Sequence, residues 1–249
     1  MQSYLHFAEH TGANEAPQAT VILIDISDSM NITKPSPSRL AAAGEAGCRL
    51  IELKMQRYPN DLVALVVFSA DARVIFPLQP VSVYGRSQQQ ALRRLTTESA
   101  TNIAAGMDVT YQLLTGKASP APVSSIATIN SSLKALTRWL HDAGDDRLQP
   151  STNDELSFVR PQVILLSDGE TTVGPSPLPI AEKLKQPPIR ACIQVIGIAD
   201  HHDAEQLDEP TLKQIASKDS KGAPRYYLVT DAEALITKFR ELSGHITRF

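Results

Sequence analysis

The stretch VILIDISDSM, residues 21–30, stops a nearly pure hydrocarbon run at an aspartate and continues with carboxylates and hydroxyls. A chain leaving a strand sends alternate side chains to the same side. Asp25, Ser27 and Ser29 can therefore aim at one point while Asp28 points away. Two neutral hydroxyls and a carboxylate, with no Cys or His, make a hard, oxygen-only set of metal ligands, which suits Mg²⁺ or Mn²⁺ over Zn²⁺ or copper. Mg²⁺ takes about six oxygens at ~2.0–2.1 Å and usually keeps some as water. Further oxygens must come from elsewhere in the chain.

The elements that would bring them can be read from the pattern. Residues 20–24, 62–68, 163–166 and 192–198 are short runs dominated by Val, Ile and Leu, as suits parallel strands covered on both faces. Residues 225–229 make a last strand. Helical patterns cover residues 40–55, about 87–95, 102–114, 179–185, 212–218 and 232–244, and alternation of strand and helix marks a doubly wound sheet. One unit departs from it. VVFSADARVIF sets two strand-like runs four residues apart, which is hairpin spacing, so residues 73–78 should run antiparallel along a sheet edge. Pro77 and Pro80 suit such an edge.

Tracking chain direction through these elements places Asp25, the loop 96–101 and Asp168 at one end of the sheet, the carboxyl end of the parallel strands. Thr101 and Asp168 then supply two more oxygens, directly or through water. The segment 116–161 enters from a descending helix and leaves on a rising strand, so it is expected at the opposite end. Within it Ile126, Ile129, Leu133, Leu136 and Leu140 mark an amphipathic helix, and GDDRLQPSTNDE reads as a polar loop.

In these motifs the chain resembles a von Willebrand factor type A domain of bacterial type with a complete metal-ion-dependent adhesion site. The family pattern D-x-S-x-S, a later loop Thr and an Asp in a T/S-D-G turn matches DISDS at Asp25, Ser27 and Ser29, SATN at Thr101, and LLSDGE at Asp168. The resemblance extends to VVFSADARVIFPL, SDGETTVG and the stretch from VIGIAD to RYYLV. It implies an α/β fold, doubly wound, with a mostly parallel six-stranded sheet in the order 3-2-1-4-5-6, strand 3 an antiparallel edge and helices on both faces. It also implies that strands 1 and 4 flank the point where strand order reverses, where open α/β sheets bind ligands. In such a site Ser27 and Ser29 would touch the ion directly, Asp25 and Asp168 would act largely through water, and Thr101 would alternate. One position would be left for an Asp or Glu of a partner protein. The ion implied is Mg²⁺, with Mn²⁺ or Ca²⁺ as alternatives. The role implied is a non-enzymatic, metal-dependent protein-binding module, in an assembly or adaptor role, with a MoxR-type AAA+ ATPase as one class of associate.

Two departures from the family stand out. Asp28 holds a position commonly glycine, where it can cap the next turn, screen the site or lend an oxygen. Ser99 and Ala100 stand where the family is commonly Gly-rich. Around the site, Asp28, Asn102, Glu170, His201 and His202 are candidate rim or partner contacts, and the two histidines with Asp203 offer a less favoured second metal site.

Rival chemistries fit less well. A haloacid dehalogenase phosphatase needs a second carboxylate at Ser27, an EF-hand needs Gly and Glu at Met30 and Ser36, and no G-x-S-x-G or P-loop motif occurs. A hydrolase using the same ion to activate water and a scaffold with a purely structural metal remain as alternatives. With 24 basic against 27 acidic residues, net charge −3, and no basic cluster, nucleic acid and anionic membrane are not expected partners. Two cysteines, Cys48 and Cys192, make no disulfide framework and are expected as buried thiols. No signal-peptide pattern or span of ~20 apolar residues appears. The expectation is a single domain over residues 1–249, cytoplasmic.

Overall fold

The structure is a computed structural model that describes residues 17–32, 37–117, 160–169, 171–199 and 207–244. The expected helix in 116–161 and the rim candidates Glu170, His201 and His202 lie outside those residues.

Six strands form one sheet in the order β3-β2-β1-β4-β5-β6. They are β1 (Ala19–Asp25), β2 (Leu62–Phe68), β3 (Ala72–Pro80), β4 (Gln162–Ser167), β5 (Cys192–Ile198) and β6 (Tyr226–Val229). Every residue of β1, β2, β4 and β5 is buried, which is why these runs are continuously apolar rather than alternating. Among the described strands only β3 pairs antiparallel, against β2, with register shifts between Val63 and Val66. The hairpin and the edge position of its prolines are as the sequence predicts.

The helices are α1 (Arg39–Arg57), α2 (Val81–Leu92), α3 (Ile103–Leu114), α4 (Leu178–Lys185), α5 (Glu209–Ile215) and α6 (Ala232–Leu242). They divide the core in two. Ile22 and Ile24 of β1 face a cluster with Leu50 and Ile51 of α1, Val81 of α2 and Phe239 of α6. Val21 and Leu23 face the other, with Met107 of α3, Leu184 of α4 and Leu212 of α5. Both cysteines are free and buried. None of the described helices is long and apolar enough to cross a membrane.

One helix begins earlier than its sequence suggests. VSVYGR reads as a poor helix start because of its β-branched residues and glycine, yet α2 opens at Val81 directly after β3. Tertiary contact overrides propensity. The Val81 amide donates to the Asp61 carbonyl at 3.0 Å, Val81 is fully buried, and Gly85 packs so closely on α1 that a Cβ there would come within 2.4 Å of the Met55 sulfur.

Candidate metal centre

The sequence motif sits where two neighbouring parallel strands end. Ile24 of β1 is level with Leu166 of β4, so the next residues, Asp25 and Ser167, lie side by side. The Ser167 hydroxyl donates to Asp25 Oδ2 at 2.7 Å, and the Ser27 backbone N–H donates to Asp25 Oδ1 at 2.8 Å. Beyond Asp25 the chain turns into one turn of 3₁₀ helix, Asp28–Asn31. That turn brings Ser29 back over Ser27, with their hydroxyl oxygens 2.9 Å apart. The Ser29 hydroxyl in turn donates to Asp168 Oδ1 at 2.8 Å. Asp25, Ser27 and Ser29 therefore gather as the D-x-S-x-S spacing predicts, but through a 3₁₀ turn rather than strand alternation, and Asp168, 139 residues beyond Ser29, joins them.

Thr101 arrives on a separate loop stitched to both sides. The Glu98 amide donates to the Ile26 carbonyl at 2.7 Å, beside Ser27. The Thr101 amide donates to the Thr172 hydroxyl at 2.9 Å, and the Thr172 and Val173 amides donate back to the Thr101 carbonyl. This clamps the Thr101 loop to the turn that follows Asp168. Asn102 reinforces it. Its Oδ1 caps α3 by accepting from the Ala105 amide, and its Nδ2 donates to the Ala70 carbonyl. Gly174, at φ +87, leaves it room, since a Cβ there would meet the amide at 2.5 Å. Half-buried Asn102 thus acts as a structural latch for the loop. Thr101 is buried as a residue, and its hydroxyl makes no hydrogen bond among the described residues.

Asp28 opens the 3₁₀ turn and is exposed to solvent. It does not cap that turn: Ser27 holds the capping position and no side-chain bond closes it. Glu98, on the Thr101 loop, is gripped by Arg73 at 2.7 Å and by the Ser69 hydroxyl at 2.9 Å, which hold its carboxyl below the usual range.

Two side chains that sequence reasoning passed over complete the site. Ser167 fills the hydroxyl position of the T/S-D-G pattern, so a signal for it existed. Arg39, the first residue of α1, donates to Asp168 Oδ2 at 2.9 Å. Nothing local marks it, because its partner is 129 residues distant.

The donor set fits a small hard cation. No three His, Cys, Asp or Glu gather among the described residues, so any ion here must lean on hydroxyls. Neighbouring ligands around an octahedral ion with ~2.1 Å bonds lie about 3.0 Å apart. The Ser27–Ser29 and Ser29–Asp168 separations of 2.9 and 2.8 Å match that edge. Burial pushes the Asp25 carboxyl up to about 6, opposed by its bonds from Ser167 and Ser27 and aided by the charge of Asp168. Such a carboxylate gains from a nearby positive charge. Asp25, Ser27, Thr101 and Asp168 are buried and Ser29 is exposed, so the site opens to solvent at Ser29. Beside it a groove of about 420 Å³ runs between the start of α1 and the turn after α2, lined by Ser38, Leu40, Leu92 and Thr97.

Among solved structures, the chain is similar to the conserved hypothetical protein BatB from Bacteroides thetaiotaomicron, at 20% identity and TM-score 0.55, over 91% of this chain and 97% of that one. It is similar to a von Willebrand factor type A protein from Catenulispora acidiphila, at 20% identity and TM-score 0.57, over 92% and 42%. It also resembles proximal thread matrix protein 1 from the mussel byssus, a structure with a zinc-occupied MIDAS motif, at 16% identity and TM-score 0.58, over 92% and 47%. The chain thus spans less than half the length of the last two, and at these identities the likeness is one of fold. No curated protein matches the sequence. Residues 20–170, from β1 through β4 and the turn after it, match the von Willebrand factor type A domain family, to which this chain belongs.

Proposed function

We propose that this domain is a metal-dependent protein-binding module in which Asp25, Ser27, Ser29, Thr101 and Asp168 hold a divalent cation that receives a carboxylate from a partner protein. The observation that carries the reading is the unbroken chain from Ser27 through Ser29 to Asp168, at ligand-edge spacing and open on one side. Domains of this family often act as metal-dependent interaction modules, and a relative carries zinc at the corresponding motif.

Each residue has a distinct task in this account. Ser27 and Ser29 present neutral hydroxyl oxygens. Asp25 sits deeper, with an oxygen engaged by Ser167 and another by the Ser27 amide, so it balances charge and orients water rather than reaching outward. Thr101 supplies the remaining hydroxyl from a loop tied to the Asp168 turn. When bound, the ion supplies an electrophilic centre with few anionic neighbours, which favours one carboxylate from outside. Exposed Ser29 marks the direction of approach, with Asp28 on the rim as a brake on acidic partners. The groove beside α1 would take residues flanking the incoming Asp or Glu. We read the ion as Mg²⁺ or Mn²⁺ and the role as assembly or adaptor rather than catalysis.

Mg²⁺ binding by calorimetry and metal-dependent capture of cellular proteins, with chelator as control, test this on wild type and Asp25→Ala. The expected result is capture that needs both the ion and Asp25. Capture that survives chelation overturns the reading. Metal-dependent turnover of phosphoesters would instead make the site a hydrolase, and stabilisation by the ion without any captured carboxylate would make it a scaffold.

A further inference from the structure

Resting on the proposed metal site, we infer that Arg39 is a positioning residue that makes Asp168 a one-oxygen ligand and so tunes the site to a small octahedral ion, Mg²⁺ or Mn²⁺, against Ca²⁺. The two oxygens of Asp168 are divided. Oδ1 accepts from Ser29, within the ligand chain, while Oδ2 accepts from the Arg39 guanidinium at 2.9 Å. The pair is enclosed, with Arg39 10% and Asp168 0% exposed at the side chain. Asp25 is divided likewise between the Ser27 amide and the Ser167 hydroxyl. Neither carboxylate can turn both oxygens toward one ion without giving up a bond.

That division bears on ion choice. Ca²⁺ takes six to eight oxygens and often draws on two-oxygen carboxylates, whereas Mg²⁺ demands six in near-octahedral order. Pinning Oδ2 on a permanent cation removes the easiest route to a seventh ligand, and guanidinium does not shed its charge.

The placement of Arg39 is not explained by helix stability. It is the first residue of α1, where the positive end of the helix dipole disfavours a cation, and that first turn holds no acidic residue to offset it. The position is nonetheless well fixed. The Arg39 amide donates to the Ile32 carbonyl at 3.2 Å, and the Ser38 hydroxyl caps the helix through the Ala41 amide at 3.2 Å. The start of α1 is thereby tied to the loop that carries Ser27 and Ser29.

The test is competition of Mg²⁺ and of Ca²⁺ against Mn²⁺, read from the electron paramagnetic resonance signal of free Mn²⁺. It is run on wild type, Arg39→Lys, Arg39→Gln and Arg39→Met, beside melting curves without metal. Wild type should prefer Mg²⁺. Arg39→Gln should lose about tenfold or more of that preference, within the range typical of groups that orient metal ligands, and Arg39→Lys should keep most of it. Arg39→Met preserves the packed stem and stands in if the glutamine variant does not fold. Equal loss of both ions, or an unchanged ratio, in the Gln and Met variants overturns the inference and leaves Arg39 a structural anchor. If wild type binds no divalent ion, the metal-site reading fails and takes this inference with it.

Discussion

One helix carries a carboxylate-paired cation to each end of the sheet, and the two ends use it differently. At the carboxyl end, Arg39 opens α1 and grips Asp168. At the amino end, Lys54 in the last turn of α1 grips Asp61 at 2.7 Å, with side chains 0% and 2% exposed. Lys54 stands where the helix dipole favours a cation, and Arg39 where it disfavours one. Asp61 also accepts from the Gln18 backbone amide, and its backbone carbonyl seats α2, so these bonds join elements. Asp168 instead hands its second oxygen to a hydroxyl chain that opens on solvent. The same pairing chemistry is a weld at one end and a setting for a ligand at the other.

If that contrast is right, the two ends should break differently. The largest effect belongs to the weld. Asp61→Ala leaves Lys54 buried without its carboxylate, and breaking such a pair costs about 3–5 kcal/mol. Burial already pushes the Lys54 ammonium below its usual range, against the pull of Asp61. Urea unfolding should show the loss, while the rise in melting temperature on adding Mg²⁺ stays as in wild type. A lost Mg²⁺ response would mean that the ends are not separable.

At the open end the prediction has the opposite sign. Asp25 in the folded protein, at about 6, lies above its ordinary 3.8, so the folded state holds this proton more tightly than the unfolded one. Without divalent ions, its contribution is fully present below about pH 3.8 and fades as pH rises through about 6, amounting to on the order of 3 kcal/mol. Asp25→Asn is neutral throughout. It should match or exceed wild-type stability above pH 7 without metal, with a flatter pH profile, yet lose its response to Mg²⁺. Chemical denaturation across pH, with chelator present, reads this directly. A variant less stable than wild type at pH 7.5 would make Asp25 another weld.

A smaller effect is expected at the Thr101 loop. Ala100 sits at φ 67, in the left-handed region that costs a residue with a Cβ roughly 1–2 kcal/mol. Ala100→Gly should relieve part of that, offset by the greater freedom of glycine in the unfolded chain. The expected net gain in unfolding experiments is about 1 kcal/mol or less. A clear loss would show that Ala100 supports the loop by contact.

The sequence-based reading fared best where one residue type carries the physics alone. Continuous runs such as Leu62–Phe68 and Cys192–Ile198 announce strands buried on both faces, and the hairpin around Ser69 announces the antiparallel edge. The gathering of Asp25, Ser27 and Ser29 was legible in the D-x-S-x-S spacing, although a 3₁₀ turn over Asp28–Asn31 rather than continued strand alternation brings Ser29 over Ser27. It failed where the cause lies across the fold. The start of α2 is set by the Asp61 carbonyl and by Met55 against Gly85, neither visible in VSVYGR. Arg39 looks like any helix-starting arginine until Asp168 is folded against it.

The most direct test of the account is a melting curve in Mg²⁺ set against one in chelator, for wild type and the double variant Ser27→Ala, Ser29→Ala. An ion bound only by the folded state at about a hundred times its dissociation constant adds about 2.7 kcal/mol. Wild type should therefore melt several degrees higher in Mg²⁺, and the double variant should melt at the same temperature with and without it. An equal rise in both proteins, or no rise in wild type, would contradict the claim that these hydroxyls hold the ion.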